Sequence, residues 1–172
     1  VNLILTPPQV AQCIEATGIG FMFAPNHHPA MRHVAPIRRE LVIRTVFNIL
    51  GPLTNPANAA HTLMGVFAPE LTRTMAMAMR ELGAQHVLVV HSDDGMDEIS
   101  IAAPTQVCEL KDGELTEYVL TPEQFGIERA PLSALQVGNP EESKAMLLSA
   151  LNNQAGAARD IVILNAGVAL YT

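Results

Sequence analysis

Apolar and polar residues follow a helical period in some stretches of the chain and a strand-like pattern in others. Thr6-Pro7-Pro8 opens a helix, because threonine is a good N-cap and proline suits a first turn. Val10, Ile14 and Thr17 continue its period, and Gly18 ends it. Residues 20–25 read as a short strand or extended piece. Residues 30–44 return to a helical period, with Pro36 kinking that helix or starting a second one. Residues 48–56 contain Gly51-Pro52-Leu53-Thr54-Asn55-Pro56 and read as a loop.

Beyond this loop, residues 61–67 read as a strand. Residues 69–82 read as a helix carrying Met75 and Met79, with Gly83 past its end. The apolar run at 86–91, bounded by turn residues, has the signature of a buried parallel strand. Residues 107–119 suggest a hairpin around Asp112-Gly113. Residues 139–152 suggest a helix, with Asn139 as N-cap, Pro140 in the first turn and Glu142 at the capping-box position. Residues 159–171 suggest another. Strands alternating with helices predict an α/β domain whose mainly parallel sheet is flanked by helices. No internal repeat, linker or low-complexity stretch interrupts residues 1–172, which read as a single domain.

Composition narrows the function. The chain has 172 residues, 49% of them apolar, enough for a sizeable core. Its formal charge is −7 and its lysines and arginines form no block, which argues against a nucleic-acid partner. Acidity does not exclude phosphate ligands, since a divalent cation can sit between carboxylates and phosphate. No apolar run reaches the roughly 18 residues of a membrane span, so no membrane partner is expected. Cys13 and Cys108 have no metal-ligand spacing and read as free thiols in a reducing cytoplasm. The chain begins without methionine and ends inside a helical pattern. It is therefore expected to be a piece of a longer protein.

Two segments carry candidate chemistry. In Val87-Leu88-Val89-Val90-His91-Ser92-Asp93-Asp94-Gly95-Met96-Asp97-Glu98, four carboxylates arrive just past a strand end. Open α/β sheets bind ligands beyond the carboxyl ends of their strands. Clustered carboxylates repel one another, and a cation relieves that repulsion. Oxygen donors without nearby cysteine suit Mg²⁺ rather than zinc. The competing reading is a solvated acidic turn, with Asp93-Asp94-Gly95 supplying only turn chemistry. Short acidic turns are common and the spacing is not that of an EF-hand, so from these residues alone the solvated turn stands slightly ahead.

The second segment is the helical stretch 30–41. On a 100° wheel, Ala30, Val34, Ile37 and Leu41 share one arc and Arg38 falls at its edge. A guanidinium on a buried side needs an anion, either an internal carboxylate, the commoner case, or a bound ligand's carboxylate gripped bidentately. His27, His28 and His33 lack the i, i+4 metal pairing with a glutamate and read as surface or helix-entry residues. The methionines read as core filler. The chain contains no P-loop and no Gly-x-Ser-x-Gly elbow. Its Gly18-Ile19-Gly20 is an incomplete glycine fingerprint, with Phe23 at the last position.

The stretch from Phe23-Ala24-Pro25-Asn26-His27-His28-Pro29-Ala30-Met31-Arg32-His33-Val34 through Arg44-Thr45-Val46-Phe47-Asn48-Ile49-Leu50-Gly51-Pro52-Leu53-Thr54-Asn55-Pro56 closely resembles anthranilate phosphoribosyltransferase. So does Val90-His91-Ser92-Asp93-Asp94-Gly95-Met96-Asp97-Glu98-Ile99-Ser100. The likeness runs through all 172 residues in family order, which is far more specific than any short motif.

The resemblance implies the large-domain fold of the nucleoside phosphorylase and phosphoribosyltransferase family. It also implies transfer of a phosphoribosyl group from phosphoribosyl pyrophosphate to anthranilate in tryptophan biosynthesis, by a Mg²⁺-dependent homodimer in the cytoplasm. Carried over residue by residue, it implies that Arg38 binds the anthranilate carboxylate and that Asp97 and Glu98 hold magnesium with the pyrophosphate. It further implies that His28 and Pro52 line the anthranilate entry region. These roles fall where the chain itself offers an arginine on a buried arc and a candidate cation site, which lifts both functional readings above their structural alternatives.

Two departures stand out. Val42 occupies a position where the family commonly has glycine. The family's glycine-rich phosphate loop, its Lys-His-Gly segment and most of its helical domain are expected upstream of Val1, so these 172 residues by themselves are expected to be inactive. A pyrimidine nucleoside phosphorylase of similar fold is the enzymatic rival, opposed by Arg38 and the Asn26-to-Pro29 segment. A non-catalytic binding domain derived from the family is the rival from another class.

Overall fold

A computed structural model describes residues 2–27 and 47–172. It divides into two compact units, residues 1–58 and 59–172.

In the first unit, α1 spans Pro7–Thr17, as its period predicts. Gln9 reaches back so that its Oε1 accepts from the Thr6 N–H at 2.9 Å, satisfying one donor of the helix entry. Gly18 closes the helix at φ +79°, and its N–H donates to the Ile14 carbonyl. A single helical turn, α2 (Ala24–His27), begins in the last two residues of the stretch 20–25 expected to be extended. The Asn26 N–H folds back onto the Phe23 carbonyl, and its side-chain amide donates to the Leu3 carbonyl at 2.6 Å. Such a local turn leaves no periodic trace in six residues. The helix expected over 30–44 lies outside the described residues.

A second correction concerns residues 48–56. Phe47–Leu53 forms a short helix, α3, where the sequence pattern predicts a loop. Pro52 sits near its last turn, where a missing N–H costs one bond rather than breaking a long ladder. Thr54 then donates its hydroxyl to the Leu50 carbonyl at 3.0 Å and the Gly51 carbonyl at 3.2 Å, satisfying carbonyls the helix leaves open.

In the second unit, the described strands form one sheet of order β1 (His61–Gly65), β2 (His86–Ser92), β3 (Thr105–Lys111), β4 (Glu114–Leu120). Helix α4 (Leu71–Glu81) joins β1 to β2, giving the right length for a parallel crossover, and Gly83 follows it at φ +87°. β1 pairs parallel to β2, whereas β2–β3 and β3–β4 are antiparallel. The α/β class and the flanking helices are as the pattern predicts. The parallel majority is not met among these strands: Asp112 (φ +52°) and Gly113 (φ +82°) close the expected hairpin, which lays β4 antiparallel to β3, and the segment between Ser92 and Thr105 brings β3 back antiparallel to β2.

All seven residues of β2 are buried. Side chains alternate between faces, so Val87 and Val89 face one side with Leu110 and Cys108 of β3. α4 packs on β2 and β3, burying Met75, Ala76 and Met79. Leu88, Val90 and Val107 join Ile99, Ile101, Leu164 and Val168 in the core of the other face. Leu164 and Val168 belong to α6 (Ala157–Tyr171), which packs beside α5 (Pro140–Leu151). The Asn139 cap accepts from the Glu142 N–H at 2.9 Å. Glu142 in turn reaches the Gly138 N–H, one residue before the cap, at 2.7 Å. Cys13 and Cys108 are both free. Among the described residues, no helix is long and apolar enough to cross a membrane.

Candidate functional site

The acidic turn leaves β2 at its carboxyl end. The Gly95 N–H donates to the Ser92 carbonyl at 2.8 Å, and the Ser92 N–H donates to the Met96 carbonyl at 2.9 Å. Gly95 supplies the positive φ of +91° that this reversal requires. The Asp93 N–H donates to the Pro104 carbonyl at 2.9 Å, tying the turn to the segment entering β3.

The four carboxylates then separate into two kinds. Asp94 turns inward: its Oδ2 accepts from the Ser100 hydroxyl at 2.6 Å and its Oδ1 from the Met96 N–H at 3.2 Å. Partial burial acts to raise its pKa. Hydrogen bonds from Ser100, Ser92 and Met96 outweigh that effect and hold it below the ordinary carboxylate value. Asp93 accepts from the Gln106 amide at 3.2 Å. Both residues stabilise the turn itself, which is the chemistry a merely structural acidic turn needs.

Asp97 and Glu98 are exposed. The Glu98 carboxyl is pushed above its ordinary value by partial loss of solvent, by the negative charge of Asp97 and by a hydrogen bond between the two carboxyls. The charge of Asp94 adds to the same shift. Two carboxyls held this close disfavour joint ionisation unless a cation joins them.

Among the described residues, no group of three or more His, Cys, Asp or Glu side chains is arranged to hold a metal. A carboxylate pair alone does not make a closed protein cage. It does fit Mg²⁺, which takes one or two carboxylates and keeps its remaining positions for water and phosphate oxygens.

Two residues without a role in the sequence-based expectations support this turn. Asn165 of α6 accepts from the Ile99 N–H at 2.9 Å and donates to the Ile99 carbonyl at 2.9 Å. Gly65, the last residue of β1, lies so close to Asp97 that a Cβ there would overlap the Asp97 carbonyl. An asparagine inside the apolar run Ile161-Val162-Ile163-Leu164-Asn165 is the available signal for the first. A glycine at a strand end, a mark of close backbone approach, is the signal for the second. Of the other expected site residues, Pro52 is exposed in α3 of the first unit. His28 and Arg38 lie outside the described residues.

Comparison with known proteins reaches the whole chain. The family model described as glycosyl transferase family, a/b domain, matches residues 1–172. An anthranilate phosphoribosyltransferase from Polaromonas sp. is 62% identical over 171 residues, covering 99% of this chain and 49% of the relative. Anthranilate phosphoribosyltransferase 1 from Ralstonia nicotianae is 61% identical over 171 residues, 99% of this chain and 50% of its own length.

The crystal structure of anthranilate phosphoribosyltransferase from Thermus thermophilus superposes with a TM-score of 0.88 at 48% identity, over 99% of this chain and 50% of that one. The Saccharomyces cerevisiae enzyme in complex with PRPP and Mg superposes at 0.75 and 32% identity, over 88% of this chain and 44% of its own. The chain thus spans about half the length of the relatives it matches.

Proposed function

We propose, from the premise that this chain belongs to the glycosyl transferase family, a/b domain, that the protein carrying it makes N-(5-phosphoribosyl)anthranilate. The substrates are anthranilate and phosphoribosyl pyrophosphate, the second product is pyrophosphate, and the reaction belongs to tryptophan biosynthesis. The observation that carries this reading is the Asp97–Glu98 carboxyl pair, set just beyond the carboxyl end of a buried strand. The names of relatives at 62% and 61% identity support the substrate pair.

In this reading the anthranilate amine forms a bond to the anomeric carbon of the ribose as the bond to pyrophosphate breaks. The amine releases its proton to solvent as the new bond forms. A bound Mg²⁺ supplies neutralisation of the charge that builds on the leaving pyrophosphate. Asp97 and Glu98 would hold that cation just beyond the carboxyl end of β2. Arg38 grips the acceptor carboxylate, while His28 and Pro52 border its approach. The protein's contribution is orientation and electrostatics. The working form is proposed to be a cytoplasmic homodimer, with the phosphate-binding loop contributed from outside these residues.

The test is an activity assay on the full-length protein. It should form phosphoribosylanthranilate, seen by loss of anthranilate fluorescence, in a Mg²⁺-dependent manner. It should not phosphorolyse thymidine or uridine. The pair Asp97→Asn with Glu98→Gln should weaken the magnesium dependence. Phosphorolysis of a nucleoside without anthranilate turnover refutes the substrate assignment. Magnesium dependence unchanged in the double variant refutes the metal site.

A further inference from the structure

The carboxyl pair sits on backbone that two distant elements hold from either side. On the upstream side, the end of β1 is fixed against β2. The Val66 N–H donates to the Val90 carbonyl at 2.9 Å, and buried His91 donates its Nδ1–H to the Val66 carbonyl at 2.8 Å. Gly65 immediately precedes this tie, and the Asp97 carbonyl rests where its side chain would be. Any residue with a Cβ at position 65 must push the Asp97 backbone away, because the strand beneath it is held in the sheet.

On the downstream side, Asn165 mimics a neighbouring strand. Its Oδ1 accepts from the Ile99 N–H and its Nδ2 donates to the Ile99 carbonyl, both at 2.9 Å. The same Nδ2 also donates to the Ile161 carbonyl of its own helix at 3.0 Å, so the amide's orientation is fixed. Asn165 is half-buried and its neighbour Leu164 is buried in the core that also contains Ile99. The amide is therefore held by packing as well as by hydrogen bonds.

We propose that Gly65 and Asn165 are positioning residues for the cation site, fixing the backbone on both sides of Asp97–Glu98. This inference rests on the reading that the pair holds a divalent cation. Neither residue touches the cation; each acts through the Asp97 or Ile99 main chain. Partners that orient metal-binding groups from behind commonly change affinity by roughly 10–100-fold when removed. Without Asn165, the Ile99 N–H and carbonyl lose their protein partners, and the backbone that carries Asp97 and Glu98 is free to shift.

The experiment measures Mn²⁺ binding to the full-length protein by electron paramagnetic resonance, with phosphoribosyl pyrophosphate saturating. Anthranilate affinity is measured in parallel by calorimetry. Asn165→Ala should raise the Mn²⁺ Kd about tenfold while leaving the anthranilate Kd within about twofold. Gly65→Ala should move the Mn²⁺ Kd in the same direction. Met75→Ala, in the core on the opposite face of the sheet, controls for lost stability and should bind Mn²⁺ as wild type does.

A folded Asn165→Ala protein with a Kd no higher than that of Met75→Ala overturns the inference. Equal weakening by all three variants overturns it too, since affinity would then follow stability alone. The underlying reading fails separately, if Asp97→Asn with Glu98→Gln leaves Mn²⁺ binding unchanged.

Discussion

Glu109 offers the sharpest test of how the second unit is stabilised. It stands on β3 and faces the same side of the sheet as Leu88. Its Oε1 accepts from His86 Nε2 at 2.6 Å and its Oε2 from the Tyr118 hydroxyl at 2.9 Å. The His86 and Glu109 side chains are only 9% and 12% exposed. Tyr171, at the end of α6, meets the His86 ring edge-on with centroids 5.0 Å apart. Truncation by Glu109→Ala leaves two poorly solvated donors without their acceptor, at roughly 1–3 kcal/mol each. The expected loss is about 3 kcal/mol, which for a protein of this size lowers Tm by roughly 6–12 °C.

Glu109→Gln keeps one acceptor oxygen, and the Tyr118 hydroxyl can rotate to accept from the new amide. Its cost should fall near about 1 kcal/mol. The pH dependence has a definite sign. Burial acts to raise the Glu109 carboxyl, but hydrogen bonds from His86, Tyr118 and Tyr171 and the charge of His86 bring it below its ordinary value of 4.5. A depressed carboxyl contributes stability that is present above its unfolded value and lost as pH falls through its folded value.

Urea titrations across roughly pH 3 to 7 should therefore show a steeper acid limb below about pH 4.5 in wild type than in Glu109→Gln. Superimposable acid limbs, or Ala and Gln variants of equal stability, would refute the argument. β2 places His86 and the acidic turn at opposite ends, about 20 Å apart, so Mn²⁺ affinity should not move with either substitution.

Two further substitutions probe other levels of the protein. Arg38→Ala in the full-length enzyme should raise the anthranilate KM with little change in kcat, measured by steady-state kinetics at saturating phosphoribosyl pyrophosphate, and unchanged kinetics would remove the proposed role. Asn139→Ala should cost about 1 kcal/mol by thermal denaturation, since its side chain caps α5 through the Glu142 N–H, and a loss indistinguishable from zero would mean the cap is energetically idle.

How much of the molecule is legible in the sequence depends on how locally each feature is determined. β2 is legible because an unbroken apolar run between turns has few ways to be buried. The hairpin is legible because Asp112-Gly113 can adopt the paired positive φ that a tight antiparallel turn requires. That same turn limits how parallel the sheet can be, since two strands joined by it must run antiparallel. α3 is hard to read because Gly51 and Pro52 are breakers on average, and the bonds from the Thr54 hydroxyl and N–H to the Leu50 and Gly51 carbonyls reveal how the short helix ends. No local pattern connects Asn165 to Ile99, which are 66 residues apart.

The distant supports bear on why the proposed cation role falls to two of the four carboxylates and not to all of them. Asp93 and Asp94 satisfy donors within their own turn and its neighbouring strand, so their charge is already engaged in structure. Asp97 and Glu98 are adjacent in sequence, and repulsion favours turning their carboxyls apart. The backbone on either side of them is held by elements that the core would need anyway: β1 through Gly65 and α6 through Asn165. α6 is anchored at its other end by Tyr171 against His86, so it cannot easily shift to relieve that repulsion. Under the proposed role of Asp97 and Glu98, the core would hold two like charges near one another, where a divalent cation would relieve their repulsion.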